Sequence, residues 1–301
     1  MLRLISTLVF CGLLLSCGAG GGDEGTPAAT NWGDATISAI AGQWPITVRT
    51  CAHDAGAVCS LTWRDKEFIN DDDHGRQLQS ASSYDDLGMN YNPTEAGADV
   101  PFNKPNPSPS SRVLQGMWTN NKVLATQTNM AFRIPVDGHL SSNHILNKQI
   151  TIGFGGLEHV IEYVTHFTIP ANETHQSCVF EVVTGYMPPE FSKFWTFDVK
   201  SEDTKGSRLM VLSDGPGEQN LPIIFSTPDE GWAMGIYSPD SPQSTWKTVG
   251  YGRFRFHDTV KWNNVFRIAD PSGVYRFRSY VIVGSLENVK VWMQQLYGRV
   301  H

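Results

Sequence analysis

Beyond its first seventeen residues the chain has no run long and apolar enough to cross a bilayer as a helix. Basic residues are too few for a nucleic-acid surface. Lys and Arg number 23 against 30 Asp and Glu, the formal net charge is -7, and no basic stripe stands out. The nine histidines form no HxxxH or HxH spacing, so no metal is expected. There is no GxSxG, no P-loop and no dinucleotide fingerprint, and no cofactor is expected. Repeats of propeller or solenoid length are missing. Cysteine is scarce, at five in 301 residues. What is abundant is aromatic: nine Trp, nine Tyr and fifteen Phe, in a chain that is 40% hydrophobic. That is enough for one large β domain or two ordinary ones. Most of these rings belong to core and sheet packing, and a few suit stacking against the C–H face of a sugar.

The N-terminus is the most specific signal. Met1-Leu2-Arg3 is a short positive region, and Leu4 to Leu15 is apolar but too short for an ordinary span. It ends in Leu14-Leu15-Ser16-Cys17, which resembles a bacterial lipobox. The resemblance implies that residues 1–17 are a signal, that Cys17 is lipidated, and that the lipid is the protein's sole membrane attachment. Gly18 after Cys17 favours an outer-membrane lipoprotein, facing the periplasm or the surface. A cleaved soluble signal is the alternative. Residues 18–35 read as a flexible Gly/Ala/Thr tether, leaving 36–301 as one domain. Export changes the cysteines' meaning. Cys51 and Cys59 flank the turn-like AHDAGAV and are expected to form a disulfide across a hairpin. Cys178, in CVFEVV, reads as a buried thiol.

Short β-type runs recur along the chain. They include WPITVRT (44–50), AVCSLTW (57–63), EFIN (67–70) and RQLQSA (76–81). A polar stretch from Ser82 to Ser111, with Pro93, Pro101, Pro105, Pro107 and Pro109, reads as one long loop. RVLQGMW, KVLATQT, MAFRIP, KQITIGF, HVIEYVTHFTI, CVFEVVTGYM, PIIFST, WAMGIYS, GRFRFHD, KWNNVFRI and VYRFRSYVIVG continue the pattern. Only SLENVKVWMQQLYG reads as helix, capped by Ser285, with Val289, Trp292, Met293 and Leu296 on one face and Gly298 as a stop. The expected fold is all-β: a large antiparallel β-sandwich with one short C-terminal helix.

The stretch GAVCSLTWRDKEFIN is similar to the opening of the galactose mutarotase-like β-supersandwich superfamily, with Asp65-Lys66-Glu67 in place of the usual glycine turn. LPIIFSTPDEGWAMGIYSP and GVYRFRSYVIVGSLENVKVWMQQLY resemble its late strands and tail. The resemblance covers residues 44–297 and implies carbohydrate-active or glycan-binding roles. The acid-histidine segment and the late glutamate base of the aldose epimerases are found at no clear position. Fold alone does not assign the reaction.

Five polar clusters are candidates for a site. In DDDHGRQLQS, Gly75 permits a sharp turn, Arg76 offers a planar fork for a carboxylate or paired hydroxyls, and His74 titrates near neutrality. A solvated acidic turn is the alternative. In GMNYNPTEAG, Tyr91 and Asn92 suit hydroxyl recognition and Glu95 suits acid-base work, against plain turn chemistry at Asn92-Pro93. In EHVIEYVTHF, strand alternation puts Glu162 and His166 on one face as a proton-transfer pair, against an exposed polar face. In TGYMPPEFSKFW, Tyr186, Glu190 and Trp195 flank two prolines that fix their loop. SDGPGEQ, with Asp214 and Glu218, reads better as a solvated turn. NDDD (70–73) has oxygen ligands for calcium but lacks a full loop pattern.

The reading that follows is a carbohydrate-active envelope lipoprotein. His74, Glu95, Glu162 and His166 are its candidate acids and bases. Arg76, Tyr91, Asn92, Tyr186, Glu190 and Trp195 are its candidate substrate contacts. A non-catalytic glycan-binding lipoprotein is the second reading.

Overall fold

Side chains alternate between core and surface along most of the chain, and these stretches fold as strands. In the segment VIEYVTHFT, Tyr163, Thr165 and Phe167 are buried while Glu162, Val164 and His166 are half-buried on the opposite face. The computed structural model describes residues 33–72, 75–97, 113–199, 208–239 and 250–301, all within one compact unit, Asn31–His301. The signal, Cys17, most of the tether and His74 lie outside the described residues.

In chain order the strands are β1 (Ala35–Ala41), β2 (Trp44–Thr50), β3 (Val58–Trp63), β4 (Lys66–Glu67), β5 (Gln79–Tyr84) and β6 (Pro93–Thr94). Then come β7 (Val113–Thr119), β8 (Val123–Val136), β9 (His139–Ile152), β10 (Val160–Thr168), β11 (Ser177–Met187), β12 (Lys193–Asp198) and β13 (Arg208–Val211). The last six are β14 (Gly217–Gln219), β15 (Ile223–Ser226), β16 (Ala233–Tyr237), β17 (Tyr251–Arg255), β18 (Val260–Ala269) and β19 (Val274–Gly284), followed by the helix α1 (Leu286–Val300). β1 to β4 form a four-stranded sheet in sequence order. The others form a fifteen-stranded sheet in the order β13-β12-β15-β16-β19-β10-β9-β8-β6-β5-β11-β18-β17-β14, with β7 beside β8. Among the described strands every pairing is antiparallel, as in β10 against β19 and β11 against β18.

The large sheet folds back on itself. Phe167 on β10 and Phe180 on β11 have four strands between them in hydrogen-bonding order, yet their rings lie 4.9 Å apart. Phe277 on β19 meets Phe266 on β18 at 4.6 Å. Two layers therefore face each other across a shared aromatic core, the sandwich that the alternation predicts. One cluster of buried side chains joins Ile46, Val48 and Leu61 of the small sheet to Phe167, Phe180 and Trp262 of the large one.

Several elements differ from the sequence expectation. β1 opens at Ala35, the last residue assigned to the tether, and ATISAIA pairs along its length with β2. KVLATQT and MAFRIP are one strand, β8, whose partner β9 begins nine residues before KQITIGF. β8 spans 14 residues with β9 along one edge from Val123 to Val136, while its other edge takes β7 first and β6 later. The expected loop after Ser82 is structured as far as Gly97, through the end of β5, a 3-10 turn at Gly88–Tyr91 and β6. Arg64 and Asp65 occupy the two-residue turn between β3 and β4 with φ of 51° and 58°. Two left-handed residues are what a tight hairpin turn requires, so the missing glycine is replaced by backbone strain.

α1 starts as expected. The Ser285 hydroxyl accepts from the Asn288 N–H, while the Asn288 side chain accepts from the Ser285 N–H. Gly298 does not stop it; the helix continues to Val300. Leu286, Val289, Met293 and Leu296 are buried against Ile224, Tyr280 and Ile282. Gly235 makes this seat possible, since a Cβ there would lie 2.7 Å from the Met293 methyl carbon and 2.8 Å from Val289 Cγ1. Cys51 and Cys59 form a disulfide with a Cα separation of 5.8 Å, and Cys178 is a free, buried thiol. Among the described residues no helix is long and apolar enough to cross a membrane.

Candidate functional site

A bulge in β11 builds a cleft. Its register against β18 shifts between Glu181 and Val183. Val182 and Val183 are consecutive yet both fully buried. The extra residue reverses the alternation, so Val179 and Glu181 before it share a face with Thr184 and Tyr186 after it. These four line a cavity of about 300 Å3. β18 adds Lys261, β8 adds Arg133, β5 adds Gln79 to Ser83 except Ser80, and the 3-10 turn and the residue after it add Met89 and Asn92.

Lys261 is the electrostatic centre of this cleft. Its Nζ lies 3.2 Å from each Glu181 oxygen and 5.0 Å from the centre of the Tyr186 ring. Burial works to lower its pKa, but Glu181 and Tyr186 outweigh burial and hold it above the ordinary lysine value. Asn263 Nδ2 donates to Glu181 Oε1 at 2.8 Å, fixing that carboxylate from below. The Arg133 guanidinium lies against Gly75, where a Cβ would stand 3.3 Å from Nη1. Gly75 has φ of +102°, and its carbonyl accepts from Gln79 Nε2 at 2.8 Å. Two cations, one carboxylate, two amides and a phenol thus converge on a space large enough for a sugar ring.

The sequence candidates are spread over the molecule. Tyr186 and Asn92 line the cleft, although Asn92 Nδ2 also donates to the Ser82 carbonyl at 2.6 Å. Arg76 borders it in sequence but turns to Asp258, 3.0 Å away. Tyr91 points elsewhere, its hydroxyl donating to Glu173 at 2.8 Å. Glu95 is fully buried beside Lys148 and accepts from the Ser80 N–H at 3.0 Å. Burial pushes its pKa up, opposed by Lys148. Glu162 and His166 share a face of β10, where Glu162 lies 3.3 Å from Arg278. Burial raises Glu162 against the pull of Arg278, and burial together with Arg276 lowers His166. Glu190 pairs with Lys66 at 2.5 Å on the surface. Trp195 donates to the Ser226 hydroxyl at 2.9 Å on β12. Asp214 and Glu218 form surface pairs with Arg255 and Arg267, as a solvated turn would.

Arg133 and Glu181 escape notice in the sequence because each sits inside an apolar strand run, and Lys261 because it opens the run KWNNVFRI, outside the five polar clusters. The one local signal is the doublet Val182-Val183, which breaks the alternation. A second convergence, His144, Glu173 and His175, joins residues of β9 and the β10–β11 connection that have no telling spacing.

No protein-family model and no curated protein matches this sequence. Solved structures do. An α-galactosidase from Lactobacillus brevis aligns over 90% of this chain and 42% of its own, at 12% identity and a TM-score of 0.49. A galactose mutarotase related enzyme from Lactobacillus acidophilus aligns over 84% of this chain and 98% of its own, at 8% identity and 0.44. A heparan sulfate lyase from Pedobacter heparinus aligns over 85% of this chain and 36% of its own, at 11% identity and 0.44. The chain therefore spans less than half of the α-galactosidase and of the lyase. A galactose mutarotase-like protein from Lactobacillus casei aligns over 83% of this chain and 100% of its own, at 7% identity and 0.45. Likeness of this degree carries no argument about activity, and the sandwich stands on the strands described above.

Proposed function

We propose that this protein is carbohydrate-active and that the β11–β18 cleft takes an acidic saccharide. The observation that carries the reading is Lys261, kept cationic at the centre of a cleft that also holds Arg133. A guanidinium fork and an ammonium suit a uronate carboxylate. Asn92 and Gln79 suit ring hydroxyls, and Tyr186 offers a stacking face. Lys261 serves as a fixed positive charge, and Glu181 is the group in the cleft suited to the acid-base work that elimination, hydrolysis or epimerisation needs. Lipidation at Cys17 would hold the protein at the outer membrane, where such polymers are met.

A non-catalytic glycan-binding role is favoured by one observation. Glu181 is engaged by both Lys261 and Asn263, which reduces its freedom to exchange a proton.

The test is titration of the protein with neutral and uronic oligosaccharides, followed by tryptophan fluorescence and by product analysis. Saturation with uronic sugars, lost in Lys261→Ala and Arg133→Ala, supports the site. New reducing ends or unsaturated sugars mark an enzyme, and binding without product marks the second reading. Equal binding by wild type and both variants removes this cleft from consideration.

A further inference from the structure

Outside the cleft, three side chains aim donor atoms at one point. His144 on β9 is 2% exposed, His175 is 8% exposed, and Glu173 lies in the turn between β10 and β11. Glu173 Oε2 is 3.1 Å from His175 Nε2 and 3.5 Å from His144 Nε2. The three ligand atoms all lie within 4.8 Å of one another. Ligands about 2.1 Å from a tetrahedral ion stand roughly 3.4 Å apart, so the spacing suits a single small cation.

The tautomers follow from what each ring meets on its far side. His144 Nδ1 is 3.0 Å from the Ser142 carbonyl, which only accepts. Nδ1 therefore carries the proton, and Nε2 presents a lone pair to the cluster. That Nε2 is buried and has no hydrogen-bond partner. His175 Nδ1 lies 2.7 Å from Asp85 Oδ2, so its Nε2 likewise turns inward. A carboxylate or carbonyl behind each imidazole is how metal-binding histidines are oriented. The Asp85 carboxylate is held in turn by the N–H groups of Gln176 and Ser177, at 2.7 and 3.3 Å.

A proton explains only half of this arrangement. A doubly protonated His175 would bridge Asp85 and Glu173, but His144 Nε2 would still be buried beside a carboxylate with nothing between them. A cation satisfies all three atoms at once. The Tyr91 hydroxyl, 2.8 Å from Glu173 Oε2, steadies the carboxylate. Rings of Tyr84 at 4.3 Å from His175 and 4.9 Å from His144 close the apolar side.

We propose that His144, Glu173 and His175 form a binding site for a zinc-class divalent transition ion, with a fourth position left for water. Two imidazoles and one carboxylate suit zinc better than calcium or magnesium, which prefer all-oxygen shells.

The experiment is zinc binding to the whole, chelator-stripped protein by competition with a chromophoric chelator, with cobalt(II) absorption reporting geometry. Wild type is expected to bind one equivalent and to give the intense visible bands of a four-coordinate cobalt site. His144→Gln, His175→Gln and Glu173→Gln should each weaken binding at least about tenfold, and Asp85→Asn roughly 10- to 100-fold. Near-UV circular dichroism checks that each variant is folded. Glu173→Gln, at the most exposed of the three, remains informative should a histidine variant fail to fold. Absence of stoichiometric binding by wild type overturns the proposal. So does wild-type affinity in any folded ligand variant, because the ion would then sit elsewhere.

Discussion

Glu95 and Lys148 form an ion pair from which water is excluded: both side chains are 0% exposed. Lys148 also donates to the Gly56 carbonyl at 3.0 Å, and Glu95 accepts from the Ser80 N–H at 3.0 Å. The pair therefore ties β9 to β5, to the segment after β6 and to the disulfide hairpin. A charge this deep is costly without its partner. Glu95→Met should destabilise the protein by about 3–5 kcal/mol, as should Lys148→Met. Replacing both together with apolar side chains should recover most of that loss, because no charge is then stranded. Urea denaturation of the two single variants and the double variant tests this. Losses that simply add would show that the two groups are not coupled.

How much of this was readable beforehand depends on how local each signal is. β10, β11, β19 and α1 announce themselves because side-chain periodicity is a property of neighbouring residues. β1 is hidden in the sequence because its alternation is written largely in Ala, Ser and Thr, and β13 and β14 are too short to show a period. Glu95 looked like a loop residue near prolines. Only its distant partner Lys148, 53 positions away, makes it a core residue. Arg133, Glu181 and Lys261 meet across three strands, and the bulge at Val182 decides which face Tyr186 takes. Strand alternation did place Glu162 and His166 on one face, but nothing local says which clusters meet in space.

Asp71 makes stability depend on pH. Burial, helped by Asp54 and opposed by a 2.6 Å hydrogen bond from Gln77, raises its pKa to about 6 from 3.8. The folded state thus holds this proton more tightly than the unfolded chain. The stabilisation is complete below the unfolded value and is lost as pH rises through the folded one. Wild type should lose on the order of 1 kcal/mol between pH 4 and 7 from this group, after allowance for its partial exposure. Asp71→Asn keeps an oxygen for Gln77 and removes the titration. It should flatten that part of the curve and gain stability at neutral pH. Thermal melts across the range are the check, and an unchanged slope would assign it to another group.

The seat of α1 is sensitive to one methyl group. Gly235→Ala would drive a Cβ into Met293 and Val289. The helix must lift or the strand must shift, at a cost of about 1–3 kcal/mol. Met293→Ala in the same chain should relieve part of that clash while opening a smaller cavity. A double-variant cycle by urea denaturation should therefore show coupling of opposite sign to the two single losses.

Lys261 sets the expected behaviour of ligand binding. Glu181 and Tyr186 hold its pKa above that of free lysine despite burial. A group raised in this way stays charged up to and beyond the ordinary lysine range, so its contribution is lost only as pH climbs through the raised value. Affinity for a uronic oligosaccharide should then stay level from about pH 6 to pH 9. It should fall with added salt, because part of the attraction is ionic. Removing the ammonium in Lys261→Met deletes a charge-assisted contact of about 1.5–3 kcal/mol, which is roughly a 10- to 100-fold loss. Neutral oligosaccharides, which offer no carboxylate, should lose far less. The same variant frees Glu181 from its main partner, so Glu181→Gln on top of Lys261→Met should restore part of the uronate affinity by removing a repelling charge. Fluorescence titration of the single and double variants decides it. A Lys261→Met loss equal for neutral and acidic sugars would mean that Lys261 shapes the cleft without reading the carboxylate.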